Sequence, residues 1–136
     1  MRIAVLDNDR SQADLVCQVL TSAGHTCQSY DNGRDMLVHL RKESFDMLIL
    51  DWHVSDMDGV EVVRRAREKM PANAPIMFLT SSSGEDDIVA GVGAGASDYM
   101  IKPLRRGELV ARVQAMLRRA YPSQNGAEQL QFGPYI

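Results

Sequence analysis

Polar side chains that could do chemistry stand where four short apolar runs of this sequence stop. In chain order they are Asp7 with Asn8, then Asp51, Thr80 and Lys102. Two carboxylates and a carboxamide make a hard oxygen site of the kind that Mg²⁺ prefers. A carboxylate can also attack a phosphoryl group when cations and hydrogen-bond donors offset the developing charge. Lysine supplies such a cation and threonine such a donor, so the set favours phosphoryl chemistry.

Five apolar runs alternate with five helical periodicities, which predicts an α/β domain with a parallel sheet. The run Met47–Leu50 is apolar at every position, as in a strand that is buried on both faces. Ligands bind outside the carboxyl ends of such strands, so we expect the polar residues to share one edge of the sheet. Four of the predicted helices cover approximately 11–23, 60–69, 85–94 and 105–120, and the second helix follows the turn 31–33 and carries Met36, Leu37 and Leu40.

Finer expectations follow from local patterns along the chain. Glycine 24 is placed to end the first helix, and the loop 53–59 contains the turn formers Asp56, Asp58 and Gly59. We expect the third helix to point Val60, Val63 and Ala66 inward. In the last helix the inward residues are predicted to be Leu109, Val110, Val113, Met116 and Leu117. The two cysteines, Cys17 and Cys27, lack metal or redox-motif spacing and are expected to be small buried hydrophobes.

Length and composition describe an ordinary globular domain. The chain has 136 residues, 45% of them hydrophobic and 24% charged, with a net charge of -3. That balance gives no bulk attraction to nucleic acid or to an anionic membrane. No apolar run reaches the roughly 20 residues that cross a bilayer, and the N-terminus becomes acidic too early for a signal peptide. We therefore predict a cytoplasmic protein without membrane partners.

Four sequence pieces together resemble the receiver domain of two-component response regulators: VLDND, LILDWHVSDMDG, FLTS and GASDYMIKP. The resemblance covers about Arg2 to Ala120. It implies a doubly wound, flavodoxin-like sheet of five parallel strands in the order 2-1-3-4-5, an arrangement that the family illustrates. It also implies a signalling module that receives a phosphoryl group from a sensor histidine kinase, and not an enzyme that turns over a substrate.

The resemblance assigns roles to individual residues. Asp51 would be the phosphoacceptor, Lys102 the phosphate-contacting cation and Thr80 the switch hydroxyl, with Tyr99 as the switch aromatic. The Mg²⁺ ligands would be Asp7, Asn8, Asp51 and the backbone carbonyl of His53. The family usually has aspartate at position 8, so Asn8 should weaken metal binding, by about 1 kcal/mol or more in a partly desolvated site. Asp9 would replace in part the metal-binding acid that is missing at position 8.

The end of the chain resembles the junction in OmpR/PhoB-type regulators. Residues 1–120 would be the receiver domain, and residues 121–136 would be a linker followed by the start of a C-terminal domain that this chain lacks. In such regulators that domain is a winged helix, so DNA binding would belong to it alone. A disordered natural tail explains the composition of 121–136 equally well.

OmpR/PhoB-type receivers dimerise through the fourth helix, fifth strand and fifth helix. The corresponding residues here are Asp98, Arg112, Glu108, Val89, Val92, Leu109 and Val110. Two of the expected charge pairs are incomplete. Ile88 occupies the position of the basic partner of Glu108, and the uncharged residues Gly93 and Gln114 occupy the positions of a second pair. The homodimer through this face is therefore expected to be weaker or differently arranged.

Three other functions fit part of the pattern. A receiver-like interaction module that does not depend on phosphorylation is favoured by Asn8. A haloacid dehalogenase-like phosphohydrolase would use Asp7 as its nucleophile, but it would leave Asp51 and its loop without a role. A flavodoxin-type FMN carrier needs a phosphate-binding loop where this chain has Asp7, Asn8 and Asp9.

Overall fold

The computed structural model describes residues 1–51, 53–54, 56–80, 93, 95, 97–101 and 104–122. Its strands are β1 (Arg2–Leu6), β2 (Thr26–Tyr30), β3 (Met47–Leu50), β4 (His53–Val54), β5 (Met57–Asp58), β6 (Ile76–Thr80) and β7 (Asp98–Ile101). Its helices are α1 (Arg10–Ser22), α2 (Gly33–Lys42), α3 (Gly59–Lys69) and the last helix (Arg106–Ala120). The predicted helix 85–94 falls almost entirely outside the described residues.

The main sheet has the order β2-β1-β3-β6-β7, and all of its strand pairs are parallel. The short strands β4 and β5 pair only with each other, in an antiparallel hairpin. With the hairpin set aside, the main strands follow the predicted order 2-1-3-4-5. The expected fold class is confirmed.

Two apolar cores lie on opposite faces of the sheet because successive strand residues alternate between the faces. On one face, Ile3 and Val5 pack with residues of α1 and the last helix. On the other, Ala4 and Leu6 pack with residues of α2 and α3. All four residues of β3 are buried, as expected for a strand covered on both faces.

Side-chain caps fix where three helices begin. Asp9, Asn32 and Asp58 each accept a hydrogen bond from a backbone N–H in the first turn of α1, α2 and α3, respectively. Gly24 follows α1 with a φ of 98°, a left-handed conformation that glycine adopts without strain. The caps therefore direct the chain out of each polar strand end and into the following helix.

Some local expectations were wrong. In α3 the buried residues are Gly59, Val62, Val63 and Ala66, so Val62 takes the inward place predicted for Val60, which is only half-buried. In the last helix Val110 packs against the core as predicted, although it is only half-buried. Both cysteines are half-buried at the border of a core, not enclosed within it. None of the helices in the described ranges is both long and apolar enough to cross a bilayer.

Candidate functional site at the carboxyl edge of the sheet

The two acids at the ends of β1 and β3 lie next to each other. Leu6 pairs with Leu50 in the parallel register, and the backbone N–H of Asp51 donates to the carbonyl of Leu6 over 2.8 Å. Neighbouring strands are about 4.8 Å apart, so Asp7 and Asp51 leave the sheet side by side. Both are buried, with 4% and 8% of their surface exposed. The sheet thus brings two carboxylates together in a sheltered position.

The other half of the predicted site follows from the register of β6 and β7. Phe78 pairs with Leu50, and Thr80 pairs with Ile101. The backbone of Thr80 therefore lies at the same carboxyl edge as Asp51, and Lys102 is the next residue after Ile101. The side chain of Thr80 and the whole of Lys102 lie outside the described residues.

The turn between β1 and α1 holds the first acid in place. Oδ1 of Asp7 accepts a hydrogen bond from the backbone N–H of Asp9 over 2.9 Å. Oδ1 of Asp9 caps α1 by accepting from the N–H groups of Ser11 and Gln12. Within the described residues, no group of three or more histidines, cysteines or acids could hold a metal, so Asp9 does not join Asp7 and Asp51. The expectation that Asp9 partly replaces a metal ligand is wrong, because its carboxylate serves the helix.

The donor set at this edge fits a small divalent cation. Two buried carboxylates side by side repel each other, and a cation between them would offset both charges. Asn8 follows Asp7 directly and is exposed, so its amide oxygen is accessible as a further hard ligand. The chemistry of these residues therefore suits Mg²⁺, with water completing the coordination shell.

The hairpin after Asp51 is fixed by an acid that the sequence marked only as a turn former. The carboxylate of Asp56 accepts from the backbone N–H groups of Gly33 and Arg34, at 2.9 and 3.1 Å. Burial acts to raise the pKa of Asp56, but these hydrogen bonds outweigh it and lower the pKa below its usual value.

The Asp56 contacts fix the loop that carries His53. His53 pairs with Asp58 across the hairpin, and Asp58 then caps α3. The position of the His53 backbone, which is the predicted metal-ligand carbonyl, is thus tied to α2 and α3. Sequence reasoning missed this role because Asp56 and Gly33 are 23 residues apart, which leaves no local signal.

The predicted dimer face is only partly available on the surface. Arg112 bridges Asp98 and Glu108 within the same chain, at 3.0 and 2.9 Å. Leu109 is 0% exposed and belongs to the core, so its prediction as a surface residue of this face is wrong. Val110 lines a groove between the last helix and α1. Val89 and Val92 lie outside the described residues.

Tyr99, the predicted switch aromatic, lies on β7 beside the Arg112 cluster. Tyr99 is 38% exposed, so part of it contacts solvent. The carbonyl of Tyr99 also accepts a long hydrogen bond from Arg112. Tyr99 is therefore positioned between the carboxyl edge of the sheet and the surface predicted for dimerisation.

Comparison with known proteins agrees with this geometry. The chain is 36% identical over 122 residues to the phosphate regulon transcriptional regulatory protein PhoB of Rhizobium meliloti, covering 89% of this chain and 54% of PhoB. It is also 36% identical to the transcriptional regulatory protein PcoR of Escherichia coli, covering 88% of this chain and 52% of PcoR. The chain thus spans about half the length of these curated relatives.

A solved structure supports the same assignment. The crystal structure of a two-component response regulator from Clostridium difficile superposes with a TM-score of 0.84 at 26% identity, covering 89% of this chain and 98% of that one. The sequence profile of the response regulator receiver domain matches residues 3–114, which include both buried acids, the hairpin and β7. With that match and the observed sheet order, the chain belongs to the response regulator receiver domain family.

Proposed function

We propose that Asp51 accepts a phosphoryl group from a sensor histidine kinase and that this modification changes the surface around β7 and the last helix. The observation that carries the proposal is the placement of Asp51 and Asp7, buried side by side at the carboxyl edge of the sheet. Family membership supports the same role, because receiver domains act as signalling modules. We do not propose that the domain converts a substrate as an enzyme does.

The transfer step is a substitution at phosphorus. A carboxylate oxygen of Asp51 forms the new P–O bond as the P–N bond to the kinase histidine breaks, and the departing imidazole takes up a proton. Lys102 would neutralise one phosphoryl oxygen and the Thr80 hydroxyl would donate to another. The parallel register supports these roles, since Thr80 and the residue before Lys102 are paired at the same edge.

We propose Asp7, Asn8, Asp51 and the backbone carbonyl of His53 as the Mg²⁺ ligands. When bound, the ion would offset the charge on the phosphoryl oxygens. Asp7 is held for this task by its hydrogen bond from Asp9, and the His53 backbone is held by the Asp56 contacts. Asn8 contributes a neutral oxygen where a carboxylate would contribute a charge, so we expect phosphorylation to require more Mg²⁺ than with aspartate at that position.

The switch would be a population shift between two arrangements of the surface. Phosphoryl on Asp51 would draw the Thr80 hydroxyl inward, and Tyr99 would rotate into the vacated space. The partial exposure of Tyr99 supports assigning the present arrangement to the unphosphorylated state. Such a rotation would change the surface next to Asp98 and Arg112, where a second copy would bind.

In the whole protein we propose residues 1–120 as the regulatory domain and 121–136 as a linker followed by the start of a DNA-binding domain. Support comes from relatives named transcriptional regulatory proteins, of which this chain spans about half. DNA contact would then belong to the other half. The cytoplasmic location stays a prediction of the sequence.

A second candidate is an interaction module that works without phosphorylation, and Asn8 is the observation that favours it. Reduction of the acyl phosphate with borohydride after treatment with acetyl phosphate separates the candidates. Tryptic peptides then place the modified residue, since Asp7 falls in residues 3–10 and Asp51 in residues 43–64. Modification at Asp51 supports the receiver mechanism. Modification at Asp7 supports the hydrolase alternative, and no modification supports the interaction module.

A further inference from the structure

We propose that Cys17 and Cys27 form a peroxide-sensitive thiol pair that closes reversibly into an intramolecular disulfide between α1 and β2. Both are free thiols in the structure. Neither belongs to the carboxyl-edge site, so the inference does not depend on the phosphorylation chemistry. The pair would be a modification site of its own.

The strand register places Cys27 under α1. Cys27 pairs with Ile3 between β2 and β1. Paired residues of neighbouring strands point to the same face of a sheet, and Ile3 belongs to the core that α1 covers. Cys27 packs against the border of that same core.

The helical spacing brings Cys17 to the same border. Cys17 lies four residues after Ala13 and three before Leu20, and both of these are buried against the sheet. The side chains of Cys17 and Cys27 are close enough to share a hydrogen bond. Neighbouring thiols on two packed elements are the arrangement in which a disulfide forms, provided that the two Cα atoms lie within about 7 Å of each other.

The hydrogen bond gives the two thiols different roles. It lowers the pKa of Cys17, although burial and the charge of Asp14 act in the opposite direction. The same bond, together with burial, raises the pKa of Cys27. Because the thiolate is the reactive form, we assign the attack to Cys17 and the resolving step to Cys27, an order that the single substitutions below test.

The oxidation is balanced with hydrogen peroxide as the oxidant. The Cys17 thiolate attacks one peroxide oxygen, the O–O bond breaks, and Cys17 becomes a sulfenic acid as hydroxide leaves and takes up a proton. The sulfur of Cys27 then attacks the Cys17 sulfur, the S–O bond breaks, and water leaves with the thiol proton. In sum, two thiols and one peroxide give one disulfide and two waters. Both residues are only partly buried, which is compatible with access by an oxidant as small as hydrogen peroxide.

One peptide reports the reaction in the full chain. Trypsin releases residues 11–34 as a single peptide that contains both cysteines and no methionine, so peroxide changes in it report on the thiols. The protein is reduced, exposed to hydrogen peroxide, alkylated with N-ethylmaleimide and digested. We expect the peptide to lose both alkyl adducts and two hydrogen atoms, and dithiothreitol before alkylation should restore both adducts. The protein should stay monomeric on a non-reducing gel.

Single substitutions test the assigned roles. Cys27→Ser keeps a hydroxyl donor beside Cys17 but cannot close the bond, so dimedone should trap a sulfenic acid at Cys17. Cys17→Ser should give markedly less dimedone adduct at Cys27 under the same exposure. A peptide that retains both alkyl adducts after peroxide, or disulfides that join two chains in place of the intramolecular bond, would overturn the proposal.

Discussion

At the scale of single residues, the two acids of the site could be identified from the sequence because each stands directly after a fully apolar strand. Their burial and their adjacency follow from the parallel pairing of β1 with β3. The role of Asp9 could not be read in the same way, because three acidic or amide residues in a row look equivalent as ligands. The structure separates them, since Asp9 caps α1 while Asp7 accepts a bond from the Asp9 backbone.

Asn8→Asp should strengthen Mg²⁺ binding. The change adds a carboxylate beside Asp7 and Asp51, and we expect a gain of about 1 kcal/mol, roughly fivefold in affinity. The dependence of acetyl phosphate labelling on Mg²⁺ concentration measures it. Gln18→Glu adds the same charge on an exposed position of α1 and serves as the control. Equal Mg²⁺ requirements in the native chain and Asn8→Asp would remove Asn8 from the ligand set.

His25 should make the domain less stable in mild acid. Burial lowers the pKa of its ring below the usual 6.5, and the positive charge of the N-terminus adds to the effect. Within the described residues, neither ring nitrogen has a hydrogen-bond partner. Below pH 6.5 the His25 ring therefore binds a proton more readily in the unfolded chain than in the folded chain. Stability falls with decreasing pH by up to about 1.4 kcal/mol per unit, until the folded pKa is passed.

Urea unfolding at pH 7.5 and 5.5 measures the His25 effect. His25→Leu should reduce the difference in unfolding free energy between the two pH values. His39→Gln, which changes a partly buried histidine on α2, should leave the contribution of His25 in place. If His25→Leu shows the same loss of stability on acidification as the native chain, the assignment to His25 is wrong.

At the scale of elements, apolar runs and helical periodicity predicted the main strands and the described helices because each is governed by local burial. The errors have a physical cause. In α3 both Val60 and Val62 offer an apolar start, and only the register ending at buried Ala66 and Met70 selects Val62. Strands of two residues, such as β4 and β5, are too short to show any period. The Asp56 contact depends on distant residues and leaves no trace in the local pattern.

Asp56→Ala should destabilise the domain through α2 and the hairpin together. It removes the acceptor of two N–H groups at the start of α2, which costs about 1 kcal/mol for a largely exposed cap. Chemical denaturation measures the change. Glu68→Ala, which removes an exposed acid from α3, should change stability by less than about 0.5 kcal/mol. Equal losses in the two variants would show that the Asp56 contacts contribute nothing specific.

At the scale of the whole molecule, the parallel sheet followed from the alternating elements, and the location of the site followed from the rule that ligands bind at the carboxyl edge. The strand order was implied only by the family resemblance. The residues available for association of two copies could not be predicted from the sequence, because they depend on which apolar residues remain on the surface. Leu109 is buried, and Arg112 is paired within its own chain. Both findings reduce what the predicted dimer face can offer to a partner.

Sedimentation velocity should show a monomer without phosphorylation and weak dimerisation with beryllofluoride and Mg²⁺. Arg112→Ala should change the association with beryllofluoride because it alters the proposed face, whereas Arg118→Ala changes an exposed arginine of the same helix and should have little effect. A tight dimer in both states that only Arg112→Ala disrupts would contradict the expectation of a weak, phosphorylation-dependent face.

The central claim is that Asp51 is a phosphoacceptor in a site that functions with Asn8. Intact mass after incubation with acetyl phosphate, with Mg²⁺ and with EDTA, tests it most directly in the native chain and in Asp51→Ala. We predict the gain of one phosphoryl group in the native chain with Mg²⁺, and no gain with EDTA or in Asp51→Ala. Absence of any gain at every Mg²⁺ concentration, or a gain that persists in Asp51→Ala, would contradict the assignment.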